Sequence, residues 1–199
     1  EFDGNDFYGL SSSRGEVFVE GCDFTNTGYR AMSTSGTLTV IVNSTFTNNG
    51  QESTPVQGAA LQLRGEEAWV ENCIFLDNAS DDGGALYLDR LSAHISNCTF
   101  VNNSASDNGG AVLINELEEW RDHRVEISSS IFWGNTALTE GSQIHVVSGE
   151  TYEVRNSIVE GGFIGENNSD ANPMFVNIDP EVGPIDLHLQ STSPAIDAG

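Results

Sequence analysis

Apolar residues along this chain recur at no helical spacing; they fall in brief alternating clusters rich in Val, Ile, Thr and Phe and broken by Gly, Asn and Asp. That pattern predicts short β-strands throughout, with no helices. The clusters also repeat. Phe24, Phe46, Phe75, Phe100, Phe132 and, by substitution, Val159 stand 22, 29, 25, 32 and 27 residues apart, within GCDFTNT, NSTFTNN, NCIFLDN, NCTFVNN, SSSIFWGN and NSIVEGG.

Around this anchor each column keeps its character. Five positions earlier stand Val19, Ile41, Val70, Ile95, Ile127 and Val154, the β-branched face of a strand. Two positions earlier stand Cys22, Ser44, Cys73, Cys98, Ser130 and Ser157, small enough for a narrow core. Asparagine fills most of the third position before the anchor (Asn43, Asn72, Asn97, Asn156) and the third after it (Asn49, Asn78, Asn103, Asn135). Both columns are expected to form amide ladders at corners, because amides stacked about 4.8 Å apart can donate and accept along the stack. A third strand follows, with inward pairs Met32/Thr34, Leu61/Leu63, Leu86/Leu88, Val112/Ile114 and Ile144/Val146.

Length variation is confined to loops such as 50–57 and 115–124 while the columns stay in register, which is the habit of a solenoid. The fold class predicted is all-β: a parallel β-helix of about six coils, three short strands to a coil, right-handed by the crossover rule. Residues 1–14 are expected to lead in or cap, 15–162 to form the coils, and 163–199 to cap or cover them.

Four anchors continue as F-x-x-N (46–49, 75–78, 100–103, 132–135), and GGAL (83–86) and GGAV (109–112) read G-G-A-[ILV]. These motifs resemble the repeats of polymorphic outer-membrane proteins and of the wider right-handed β-helix proteins. The segment NPMFVNIDPEVGPIDLHLQSTSPAIDAG is similar to the closing segment of the choice-of-anchor Q class. Coil 1 departs with Thr27, coil 2 with GAAL and coil 5 with GSQI. The resemblance implies an extracellular or cell-surface setting and a fold that serves adhesins, fibres, lyases and hydrolases alike.

Thirty acidic residues against seven basic ones give a net charge of -23. A nucleic-acid partner and an anionic membrane surface both need a basic footprint and are excluded, leaving neutral, cationic or cation-bridged partners. Every basic residue is arginine, so no lysine can act as base or Schiff-base former. No apolar run reaches membrane-spanning length, the opening EFDGNDFYGL lacks a signal-peptide pattern, and no C-x-x-C is present. Cys73 and Cys98 share a column and are expected to stack as free thiols.

Candidate chemistry is sparse. Asp81, Asp82, Asp107 and Asn108 should meet on adjacent coils, where their oxygens suit Ca2+, although Asp and Asn also simply serve bends. No other cofactor is expected. Beside the anchor, Ile74, Ile131 and Ile158 on one side and Leu76, Val101 and Trp133 on the other make an outward apolar stripe. It needs either the C-terminal segment, with Phe175, Ile185, Leu187 and Leu189, as a cover or a second molecule as a partner. A second outward column, Phe18, Val40, Trp69 and His94, with Tyr87 and His145 from another sheet, offers aromatic surface to a saccharide.

The loop at 115–124 gathers Glu119, Arg121, Asp122, His123 and Arg124, enough for a β-elimination or a glycoside hydrolysis, but also the composition of a solvated loop. Sequons occur at Asn43, Asn78, Asn97, Asn102 and Asn167, of which Asn102 and Asn167 are the expected glycan carriers because the others belong to the ladder columns. The expectation is a secreted, non-catalytic adhesin passenger, stalk or matrix-like protein that binds a saccharide or surface protein or associates end to end into filaments. The alternative is a polysaccharide lyase or hydrolase.

Overall fold

The computed structural model describes residues 1–5, 8–50, 57–115, 123–147 and 151–196. Among these the chain forms strands and turns without a helix, and the coil strands pair in parallel with their counterparts one repeat away. The anchor strands build a seven-stranded sheet of Phe2–Asp3, Asp23–Thr25, Thr45–Thr47, Ile74–Leu76, Thr99–Val101, Ile131–Trp133 and Ile158–Val159. Its inward phenylalanines stack face to face from Phe2 to Phe132, with ring centroids 4.5–5.1 Å apart and planes within 6°. This is a parallel β-helix, and the aromatic column is its spine.

The repeat reaches further toward the N-terminus than the sequence reading placed it. Phe2 pairs with Phe24, and Tyr8–Ser12 pairs with Arg30–Val42, so residues read as a lead-in supply coil strands. Phe2 to Asn5 is itself an F-x-x-N.

Three short strands per coil proves too simple in two respects. Arg30–Val42 and Leu61–Glu71 each run unbroken through a corner where Gly36 and Gly65 lie back to back. Gly65 has φ 125°, and a Cβ there would stand 1.9 Å from the Gly36 carbonyl oxygen, so only glycine lets the strands stay paired. In addition Ala79–Ser80, Ser104–Ala105 and Thr136–Ala137 form a small sheet of their own after the anchor corner.

The two asparagine columns divide their work. Three residues after the anchor, Asn49, Asn78 and Asn103 are fully buried and Asn135 nearly so. Asn103 Oδ1 accepts from the backbone N–H of Asn78 (3.1 Å) and from its Nδ2 (2.9 Å), while Asn103 Nδ2 donates to the Phe75 carbonyl (3.0 Å) and to Asn135 Oδ1 (2.9 Å). Asn49 and Asn78 repeat the pattern, and Asn135 ends it on Gln143 Oε1 at 2.6 Å. This is a true ladder.

Three residues before the anchor there is none: Asn43, Asn72, Asn97, Ser129 and Asn156 have φ of 49–53°, and Asn43, Asn72 and Asn97 are exposed. Asparagine stands there because it tolerates the left-handed conformation of a tight bend, which corrects the expectation of a second amide ladder.

Ser44, Ser130 and Ser157 turn their hydroxyls inward, each donating to the carbonyl two residues back and accepting an N–H from the preceding coil, from Cys22, Cys98 and Ser130 in turn. The cysteines of this column are free thiols, as expected for stacked core residues. Burial pushes the Cys98 thiol well above its ordinary value, whereas a hydrogen bond from Cys98 lowers Cys73.

The second glycine of G-G-A is an inter-coil contact. A Cβ at Gly84 would lie 2.0 Å from the Gly110 carbonyl oxygen, and one at Gly110 would lie 2.1 Å from that of Ser142. Coil 5 can carry serine at that place because Ile144–Val146, which follows it, is the end strand of its sheet. Gly110→Ala is expected to cost roughly 1–3 kcal/mol, seen as a lowered denaturation midpoint, while Ser142→Ala leaves the midpoint within error.

Candidate functional site

A β-helix of this kind has three outward faces, and their coverage decides where a partner can bind. The anchor sheet is covered. Val101 points outward yet is fully buried, and Ile158 is 5% exposed, because residues 163–196 fold back over this side. Phe175–Asn177 and Asp186–Leu189 form an antiparallel pair, and Asn177 Nδ2 gathers the carbonyls of Asp179, Gly183 and Pro184 at 2.9–3.1 Å, which fixes the loop between them. Asn102 Nδ2 donates to the Ile178 carbonyl at 3.2 Å, and Ile185 and Leu187 face Ile74 and Leu76 across a groove of about 490 Å³.

The stripe is therefore closed against a second molecule at Val101, while Ile74, Leu76, Ile131 and Trp133 remain half-buried. The same segment ends the anchor sheet. Ser169 bridges to Ile158, and Asn168 accepts from the Ser157 N–H and donates to the Val154 carbonyl.

The face of the third strands is also closed along most of its length. Tyr87, read as projecting, is 5% exposed, and its neighbours Gln62 and Leu113 are 5% and 4% exposed. They lie beneath turns in which Gly58, Gly83 and Gly109 take φ of 61–67°, and Gly58 approaches Tyr87 so closely that a Cβ there would lie 2.9 Å from the tyrosine Cβ. Tyr87 is therefore buried rather than a surface on which a ligand could stack. His145, in the same column, is 18% exposed at its side chain and lies 3.8 Å from Glu140.

The face preceding the anchor sheet is open. Register places Phe18, Val40, Trp69, His94, Glu126 and Glu153 in one outward column, with Phe18 67% and Trp69 36% exposed. Trp69 is held in place: its ring stacks on His94 at 4.1 Å with 19° between planes, and its Nε1 donates to Glu67 at 2.9 Å. One indole face is thus occupied, and the side toward Val40 is left. Leu38 and Val42 flank Val40, and Glu16, Glu20, Glu67 and Glu71 flank the two aromatics. The result is a small apolar patch with an acidic rim. Toward the C-terminal coils the column turns ionic, since His94 meets Glu126 at 3.6 Å and Arg124 clasps both Glu126 and Glu153.

Those ion pairs bear on the catalytic reading. Arg124 is committed to two carboxylates, and His123 lies two residues before the strand Val125–Ser128, whereas Glu119, Arg121 and Asp122 lie outside the described residues. The metal candidates do come together, but as a hydrogen-bonded bend. Asn108 Nδ2 and its backbone N–H both face Asp82 Oδ1, at 3.4 and 3.3 Å, and Ser106 Oγ donates to Asp81 Oδ1 at 2.7 Å, while Asp107 is exposed. Asn108 thus presents its amide nitrogen, and not its oxygen, to the Asp82 carboxylate. Among the described residues no group of three or more His, Cys, Asp and Glu gathers as metal ligands.

The sequons redistribute. Asn102 is half-buried and bonded to the covering segment, and Asn167 is exposed with its amide on Asn156. Asn43 and Asn97, set aside as ladder members, are exposed at their bends.

Sequence reasoning passed over a further group. Arg30, with Tyr8 and Tyr29, lines a cleft of about 430 Å³ with Gln62, Arg64 and Asp82. The signal was present: coil 1 reads YRA where coils 2 to 4 read GAA or GGA, so two large side chains replace the small ones of the turn.

The family described as "Right handed beta helix region" matches residues 1–159, which reach from the first anchor strand, Phe2–Asp3, through the last, Ile158–Val159, and stop short of the covering segment. Comparison with curated proteins returns no match, and neither does comparison with solved structures. Matched over most of its length and built of parallel coils around a phenylalanine spine, the chain belongs to the right-handed β-helix family.

Proposed function

We propose that this protein is a non-catalytic extracellular scaffold of the adhesin or stalk kind, which presents its open face to neutral or amino sugars of a surface glycan. One observation carries the reading. Of three outward faces, two are largely covered by the protein itself, and the one left open bears the aromatic column Phe18, Val40, Trp69. Large aromatics left exposed on a rigid sheet mark a recognition surface, since covering them costs a partner little ordering entropy.

Geometry supports a ring-shaped ligand. Two coil spacings, about 10 Å, separate Phe18 from Trp69, and short Val40 between them leaves a notch. A sugar ring laid there meets apolar side chains from below and aromatic surface at either end. The four rim glutamates favour hydroxyl or ammonium groups and repel carboxylates and sulfates. Hydrogen bonds from sugar hydroxyls to those carboxylates would set orientation.

Glycan-array binding by the wild type and by Trp69→Ala tests this. The expected result is a set of neutral or amino-sugar glycans whose binding falls at least tenfold in the variant, with melting temperature preserved because Trp69 lies outside the core. Equal binding by the two proteins contradicts the reading.

A further inference from the structure

We propose that the cleft at the N-terminal end of the third-strand face is a separate saccharide subsite, taking a single neutral pyranose. It stands on its own geometry and does not depend on the open-face reading. Register places Ser11, Ser33, Gln62, Tyr87, Leu113 and His145 in one outward column, and the cleft borders it at Gln62. Over coils 3 and 4 Tyr87 and Leu113 are packed beneath the turns. The volume of the cleft, about 430 Å³, falls within the roughly 300–1,000 Å³ range of small-molecule sites.

Its walls are built rather than incidental. Tyr8 and Tyr29 meet edge to face at 5.2 Å, and the Arg30 guanidinium lies 5.8 and 5.1 Å from their ring centres. Arg30 is only 4% exposed, and its Nε donates to the carbonyls of Gln57 and Gly58 at 3.0 and 3.1 Å, so it ties the aromatic pair to the next coil. Arg30 is a positioning residue, and Tyr8, 42% exposed, is the accessible platform.

The opposite wall is planar and polar. Gln62 bonds to Ser33 and Gln57, Arg64 pairs with buried Asp89 at 2.6 Å, and Asp82 is oriented by Asn108. A neutral pyranose fits this set better than an ion does. Arg30 and Arg64 share the cleft with Asp81 and Asp82, and Arg64 is paired with Asp89, so the cleft has no surplus positive charge to attract an anion in a chain of net charge -23. Its aromatic platform suits the C–H face of a sugar ring, and its mixture of planar donors and acceptors suits adjacent hydroxyls, each of which both donates and accepts.

Isothermal titration with methyl glucoside, galactoside and mannoside, in both anomers, tests the assignment on the wild type, Tyr8→Ala, Asp82→Asn and Trp69→Ala. The expected result is a site whose affinity falls at least tenfold in Tyr8→Ala and in the isosteric Asp82→Asn, and which Trp69→Ala leaves unchanged. Where the open face also binds the glycoside, the wild-type stoichiometry is two, and Tyr8→Ala and Trp69→Ala each reduce it to one. If only the open-face reading fails, stoichiometry is one and insensitive to Trp69. A wild type that binds none of the six glycosides overturns the subsite, as does binding that survives both Tyr8→Ala and Asp82→Asn. Should Tyr8→Ala fold poorly by circular dichroism, Asp82→Asn decides.

Discussion

Replacing Asn103 by alanine is expected to destabilise the protein by about 3–5 kcal/mol, among the largest effects available to a polar side chain here. The side chain makes four hydrogen bonds in full burial. Its removal strands the Asn78 N–H and one Asn78 Nδ2 proton above it, together with the Phe75 carbonyl and an Asn135 Oδ1 lone pair. Each buried unsatisfied group costs roughly 1–3 kcal/mol, and partial relaxation brings the sum below the simple total. Chemical denaturation with an unchanged m-value checks it.

Asn103→Asp separates accepting from donating. An ionised carboxylate can still accept from Asn78 but cannot donate to Phe75 or Asn135, so at neutral pH this variant should be at least as unstable as the alanine. Desolvation would raise its folded-state pKa above the unfolded value. Stability would then be recovered at acid pH, below the unfolded pKa, and lost as pH rises through the folded one. A variant as stable as the wild type at neutral pH would contradict the ladder.

Phe100→Ala is expected to cost a similar amount, about 3–5 kcal/mol for the cavity and lost burial, plus about 1 kcal/mol for the stacked ring geometry. Its ring lies between Phe75 and Phe132 at 4.6 Å on both sides, and no part of the residue reaches solvent. Phe2→Ala is the internal control, because Phe2 is half-buried and, among the described residues, its ring stacks on one side only, on Phe24 at 4.5 Å. It should cost less than half as much. Equal losses at the two positions, read as shifts in denaturation midpoint, would mean that the column does not act as a stacked spine.

Most of the coil plan was legible because side-chain size and polarity repeat by column, and stacking in register needs that uniformity. What was misread has specific causes. Asparagine serves two ends, a buried amide ladder and a left-handed bend, so Asn97 and Asn103 look alike in the sequence and differ in depth and backbone conformation. The small sheet of Ala79–Ser80, Ser104–Ala105 and Thr136–Ala137 is made of two-residue strands, too short to carry an alternation. Glycine in a sequence signals a break, yet Gly36 and Gly65 lie inside continuous strands, because close packing of strand on strand also demands glycine.

The candidate sites were legible in part. The column of Phe18, Trp69 and His94 followed from side-chain alternation. Burial of Tyr87 and Val101 did not, because it depends on turns and on a segment more than seventy residues away that no local period encodes. The Tyr8, Tyr29 and Arg30 group was visible as a departure from G-G-A, but its meaning rested on the carbonyls of coil 2 that accept from Arg30.

The open face can be tested most directly by tryptophan fluorescence during titration with a glycan selected from the array, using the wild type, Trp69→Phe and Trp133→Phe. Trp69 lies on the open column, whereas Trp133 is half-buried on the covered face. A saturable change in emission that disappears with Trp69→Phe and persists with Trp133→Phe is the predicted result. A change that persists without Trp69, or that requires Trp133, would place the ligand on the covered side and contradict the account.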